Sequence, residues 1–235
     1  MRRLRLLIML AIAAALLPRT EAFAQQATND VHLHLAFLGN AKRPAPPAVV
    51  WLKPLQPMPE LQFPPHKAYT LLQKNRTFIP HLLVVPVASQ VLFPNADPFY
   101  HDVFSDFDGK RFDLGLYEAG STKGVTFSRE GVSYIFCNIH PEMSAVVVAL
   151  TTPLYAIADS AGGVDIHDVQ AGDYELHAWV EGVPQAILDR LAHRVHLGPN
   201  GGGLGLINVP ITPLRSNAHT NKFGQPYDKD SKPTY

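Results

Sequence analysis

Val132-Ser133-Tyr134-Ile135-Phe136-Cys137-Asn138-Ile139-His140-Pro141-Glu142-Met143 is the stretch from which the rest of the chain can be read. Val132 to Cys137 is an apolar run with β-branched and aromatic residues, the composition of a strand. It ends on the only cysteine in 235 residues, and the pattern continues as C-x2-H-x2-M. A thiol, an imidazole and a thioether therefore sit in one short loop that follows a strand.

A single cysteine cannot form an intramolecular disulfide, so Cys137 is either a buried small hydrophobe or is used by a metal or a reaction. The neighbouring donors favour a metal. Soft sulfur ligands suit Cu(I), imidazole serves copper in both oxidation states, and hard cations prefer oxygen. A fourth ligand has to come from elsewhere, and the obvious donor is His101, in the turn Asn95-Ala96-Asp97-Pro98-Phe99-Tyr100-His101 that opens a strand at Val103-Phe104.

With His101, Cys137, His140 and Met143 in that order, the chain resembles the cupredoxins, the plastocyanin, azurin and amicyanin group. The ligand loop has amicyanin-like spacing. Lys110-Arg111-Phe112-Asp113-Leu114-Gly115, Gly124-Val125-Thr126-Phe127 and Gly131 to Phe136 extend the likeness over roughly residues 75 to 150. The resemblance implies a Greek-key β-sandwich holding one type 1 copper, with two histidines and the cysteine in a near-trigonal plane and Met143 as a weak axial ligand. It also implies that the ring edge of His140 reaches solvent between Ile139 and Pro141. Asp102 stands where plastocyanins usually carry asparagine, and Glu142 lies beside Met143; a carboxylate so placed is expected to stabilise Cu(II) and lower the potential.

Working outward, strand signals recur every eight to twelve residues from Phe78 to Leu150, the spacing of a sandwich or barrel. Val31 to Phe37 alternates at period two, and Val49 to Leu52 reads as a second strand. Residues 53 to 68 hold five prolines, which exclude helix and central strand. After the copper-ligand region, Leu154 to Ala158, Val164 to Ile166 and Tyr174 to Val180 are separated by the turns Asp159-Ser160-Ala161-Gly162-Gly163 and Ala171-Gly172-Asp173. This later set resembles transthyretin-like or carboxypeptidase-regulatory sandwiches whose first strands would be residues 31 to 52. The expected all-β organisation is a signal peptide (1–24), first accessory strands and a proline-rich connection (25–68), a cupredoxin unit (69–151), the rest of a smaller accessory sandwich (152–182), and a partly disordered C-terminal extension (183–235) with one strand at Leu206 to Val209.

Met1-Arg2-Arg3-Leu4-Arg5, the apolar run through Leu17 and Ala22-Phe23-Ala24 form a secretory signal with cleavage near Ala24. The apolar run is shorter than the roughly 20 residues that span a bilayer, so no membrane span is expected. Removing residues 1 to 24 takes four arginines and one glutamate from a balance of 20 and 20, leaving 16 basic against 19 acidic residues. Such a chain lacks the clustered positive charge that nucleic acid requires.

The other histidines read as structural. His66 and His81 lie near prolines outside the motif, His32 and His34 share one strand face, and His177 belongs to a strand. Asn217 to Gly224 reads as a surface turn. The expectation is a periplasmic one-electron carrier, not an enzyme, exchanging electrons with a cytochrome or dehydrogenase. It is similar to exported methylamine-utilisation-type plastocyanin-like proteins. Copper delivery or storage, or an accessory partner-binding module, are the alternatives.

Overall fold

The computed structural model describes residues 28–38, 44–64, 68–106, 109–200, 202–211 and 219–227. The expected signal peptide and His66 lie outside them. In chain order the first strands are β1 (Thr28–Leu38), β2 (Ala48–Pro54), β3 (Tyr69–Thr70), β4 (Leu72–Lys74), β5 (Thr77–Ile79), β6 (Leu82–Pro86), β7 (Ser89–Pro94) and β8 (His101–Ser105). There follow β9 (Phe112–Tyr117), β10 (Thr122–Phe127), β11 (Gly131–Cys137), β12 (Ser144–Leu150), β13 (Tyr155–Ile157), β14 (Gly163–Gln170) and β15 (Gly172–Val180). Helix α1 (Gln185–Leu191) leads to β16 (His193–Leu197) and β17 (Gly202–Pro210). The described residues are all-β apart from that short helix, and no helix among them is long and apolar enough to cross a membrane.

Among the described residues there are five sheets; β4-β5 is a small hairpin, and the other four stack in layers. The order β10-β7-β3 forms one outer layer, β6-β12-β11-β8-β9 the next, β13-β2-β15-β16 the third and β14-β1-β17 the fourth. Strand β12 shows why the second and third layers adhere. Every residue of Ala145–Leu150 is buried, because a strand covered on both faces has no polar alternation to keep. Ala145, Val147 and Ala149 join the core shared with Val91, Phe93 and Phe127. Val146, Val148 and Leu150 point the other way, into the core containing Val49, Leu52 and Trp179. The Trp179 indole N–H crosses that seam to donate to the Tyr134 hydroxyl at 3.0 Å, and Lys53 pairs with Glu130 at 2.7 Å.

In the third layer, β2 lies between β13 and β15, with Val49 opposite both Ile157 and Trp179. Residues 48–54 thereby join residues 155–180 across the intervening unit. Residues 193–197 pair with β15, and β17 runs parallel to β1, so chain beyond residue 182 completes both accessory sheets. Strands β3 to β5 and β16 carry little sequence signal, being short and interrupted by polar residues. The β4–β5 hairpin turns through Asn75 and Arg76, both with left-handed φ (54° and 55°), as a two-residue hairpin matched to strand twist requires.

Candidate metal centre

Three elements bring the donors together. His101 is the first residue of β8, a strand buried at all five positions. Cys137 is the last residue of β11, opposite Val103 of β8. His140 and Met143 lie in the turn that reverses β11 into β12, closed by Met143 N–H on His140 O at 3.0 Å and Cys137 N–H on Met143 O at 3.3 Å. His101, Cys137 and Met143 have no exposed surface and His140 only 3%.

His101 Nδ1 and His140 Nδ1 are each 3.6 Å from Cys137 Sγ and 3.2 Å from one another. A point equidistant from the corners of that triangle lies about 2.0 Å from each atom, close to the ~2.0–2.3 Å of bonds from a small transition-metal ion to imidazole and thiolate. Among the described residues this is the one group of three or more histidine, cysteine or carboxylate donors within such reach. Met143 is buried in the same core as Cys137. His32, His34, His81 and His177 stand apart: His32 pairs with Asp165, His81 with Glu181, and His177 stacks on Trp51 at 5.3 Å.

The surroundings prepare these atoms for a cation. His101 Nε2 lies 3.0 Å from Asp97 Oδ2, which places the proton on Nε2 and leaves the Nδ1 lone pair facing Cys137. Asp97 is itself held by the N–H groups of Asn75 (2.5 Å) and Arg76 (3.0 Å), so the left-handed hairpin turn is what fixes the histidine. Burial pushes the Asp97 carboxyl upward, but the Arg76 N–H, the His101 ring and the Asn75 N–H outweigh it and hold it below the usual carboxylate range. Burial lowers His101, partly offset by Asp97. Burial and then the His101 charge bring His140 down to about 4. Both shifts favour the neutral ring, the form in which a histidine ligates a metal. Burial pushes the Cys137 thiol up, while N–H groups of Asp102, Ile139 and His140 act to stabilise its thiolate.

His140 is buried, which corrects the expectation of a solvent-reaching ring edge. Phe99 packs against both imidazoles, its centroid 5.4 Å from each, and the Arg76 guanidinium lies over Phe99 at 5.2 Å. Pro141 and Glu142 remain exposed.

Sequence reasoning missed two contributors. Asp97 carries only a turn signal in the sequence, although Asp-x3-His ahead of a strand is a spacing from which a histidine-orienting carboxylate can be sought. The C-terminal segment gave no such signal. His219, Lys222 and Tyr227 nevertheless touch the ligand loop or its flanks: the His219 ring stacks on Phe136 at 4.0 Å, Lys222 Nζ lies 2.9 Å from Asp102, and the Tyr227 hydroxyl donates to Cys137 O at 2.8 Å.

The two-sheet unit that carries this site is a β-sandwich. Similar solved structures include the purple cupredoxin from Nitrosopumilus maritimus, 23% identical over 35% of this chain and 99% of that chain with a TM-score of 0.32. Amicyanin from Paracoccus versutus is 18% identical over 37% of this chain and 84% of its own, with a TM-score of 0.34. A copper-containing nitrite reductase from Thermus scotoductus is 21% identical over 50% of this chain and 28% of its own, also with a TM-score of 0.34. No family model matches the chain, and no curated protein does.

Proposed function

We propose that this protein is an exported, periplasmic one-electron carrier of the blue-copper kind. One copper would be held by His101, Cys137 and His140, with Met143 as a weaker fourth ligand. The observation that carries this reading is the buried triangle of two imidazole nitrogens and one thiol sulfur, whose dimensions suit a small transition-metal ion. Copper, when bound in such a donor set, supplies one-electron exchange between Cu(I) and Cu(II) at a geometry that compromises between the two.

The chain's own part is to keep that geometry from changing. Asp97 fixes the tautomer and orientation of His101, strand β11 anchors Cys137, and the packed core excludes water. Ligands held by rigid strands and by outer hydrogen bonds move little when charge changes. We propose no catalytic turnover of an organic substrate; the partner would be another redox protein such as a cytochrome or a dehydrogenase. The chain would divide into the cupredoxin unit at 69–151 and an accessory sandwich assembled from the segments on either side of it.

Copper delivery uses the same soft donors, but it calls for an exchangeable site. Four donors at 0 to 3% exposure favour the carrier. The test is the visible spectrum of the copper-loaded protein. Wild type should bind one copper and be blue or green from thiolate-to-copper charge transfer, and Cys137→Ser should be colourless. Met143→Leu should keep the colour and raise the potential, since a weak axial donor is lost. Full colour in the Cys137→Ser protein would sink the assignment.

A further inference from the structure

We infer that His219 to Tyr227 is a strap that positions the ligand loop Cys137–Met143 and supplies the countercharge for Asp102. This rests on the copper reading above only where a redox potential is concerned.

Three strap residues take hold of three points on the loop. Tyr227 Oη donates to the carbonyl of Cys137 at 2.8 Å, the Lys222 backbone N–H donates to Asn138 Oδ1 at 3.1 Å, and His219 Nε2 meets the carbonyl of Pro141 at 2.9 Å. The His219 ring also lies flat on Phe136, 25° from parallel, and edge-on to Tyr227. These contacts span 78 to 90 residues of sequence, so no local preference creates them.

The strap is shaped for the purpose. Asn221 Oδ1 accepts from the N–H groups of both Phe223 and Gln225, and Gly224 N–H returns to Asn221 O at 2.9 Å with Gly224 at φ 74°. A side-chain oxygen that replaces backbone partners and a glycine in the left-handed region make a tight turn in a polar segment. That turn presents the Lys222 ammonium to Asp102 and Asp113, 2.9 Å from each.

The charge has a consequence at the metal centre. Asp102 follows His101 and is buried; its Oδ2 meets Lys222 and Asn138, and its Oδ1 has no hydrogen-bond partner among the described residues. An uncompensated carboxylate there would favour the more highly charged oxidation state. Lys222 opposes that effect, so the potential expected from Asp102 alone is not the one this protein should show.

The test uses full-length chain. In metal-free protein, amide hydrogen exchange at residues 137–143 should be about tenfold faster in the Tyr227→Phe, His219→Ala double variant than in wild type, the loss expected for one or two net hydrogen bonds. Exchange in β6 and β12 should stay unchanged, which separates loosening of the loop from general unfolding. In copper-loaded protein, Lys222→Gln should shift the potential downward with the visible spectrum retained. Exchange at 137–143 equal to wild type, or a potential that stays or rises in Lys222→Gln, overturns the proposal. Failure of wild type to bind copper would overturn the proposed function instead, and the metal-free exchange experiment would still decide the strap.

Discussion

At the scale of single residues, a carboxylate at position 97 settles where a proton sits on a histidine four residues later. Asp97 is 4% exposed and accepts from two backbone N–H groups and one ring N–H. Asparagine at this position would turn an NH2 group toward one of those donors. Asp97→Asn should therefore weaken copper binding 10- to 100-fold, as loss of an outer partner of a ligating histidine typically does. It should also lower the stability of metal-free protein by about 1.5–3 kcal/mol, the range for hydrogen bonds to a buried charge. Competition with a chelator of known affinity measures the first and urea unfolding the second. Equal affinity in the two proteins would mean that packing by Phe99, not the carboxylate, orients the ring. That His101, Cys137 and His140 would be neighbours was legible in the sequence because two of them share one loop and a turn before a strand offers the third. Asp97 was not, because its role depends on a hairpin turn at residues 75 and 76 that meets it only in the folded chain.

Among elements, the junction between the ligand loop and the accessory layer runs through His81. Its Nε2 lies 2.7 Å from Glu181 Oε1 at the end of β15, and its Nδ1 lies 3.1 Å from Ser144 O at the start of β12. The hydrogen bond to Glu181 raises the His81 pKa, burial opposes it, and the Glu181 charge and the Ser144 carbonyl add to the rise. A histidine whose folded pKa is raised contributes stability that is fully present below its unfolded value, near 6.5, and is lost as pH climbs through the folded value. With side chains 38% and 26% exposed, solvent screening keeps the contribution below about 1 kcal/mol. Glu181→Gln should thus be less stable than wild type at pH 5.5 and converge with it toward pH 9. Urea midpoints across that range measure this; a deficit that is constant with pH would assign Glu181 a packing role only. Alternating strands such as β1 were readable from period-two burial. Strand β12 was readable as a strand but not as a two-faced one, because a continuous apolar run looks the same whether one neighbour or two cover it.

For the whole molecule, the four layers share cores in a way that binds the sandwiches to each other. Leu82, Val84, Val146, Val148 and Leu150 of the sheet that carries the metal centre are buried among residues of the third layer. Cutting the chain to 69–151 would uncover them, and each fully buried aliphatic side chain is worth about 1.5–3 kcal/mol. The fragment is expected to aggregate or to bind an apolar dye, whereas the full chain should unfold in one transition. A soluble, dye-negative fragment with a wild-type visible spectrum would show instead that the accessory layers are dispensable to the fold.

The chain's order of residues by itself determined that strands dominate, that a loop after one of them carries thiol, imidazole and thioether, and that His101 is the partner to seek. Those follow from composition, periodicity and short-range spacing, which act within a dozen residues. Tertiary structure alone decided that the turn at Asn75 and Arg76 holds Asp97 and that His140 is shielded. It also decided that Lys222 reaches Asp102. Each of those pairings depends on chain segments 20 to more than 100 residues apart, where side-chain packing and buried charge select the partner and local pattern carries no record of the choice.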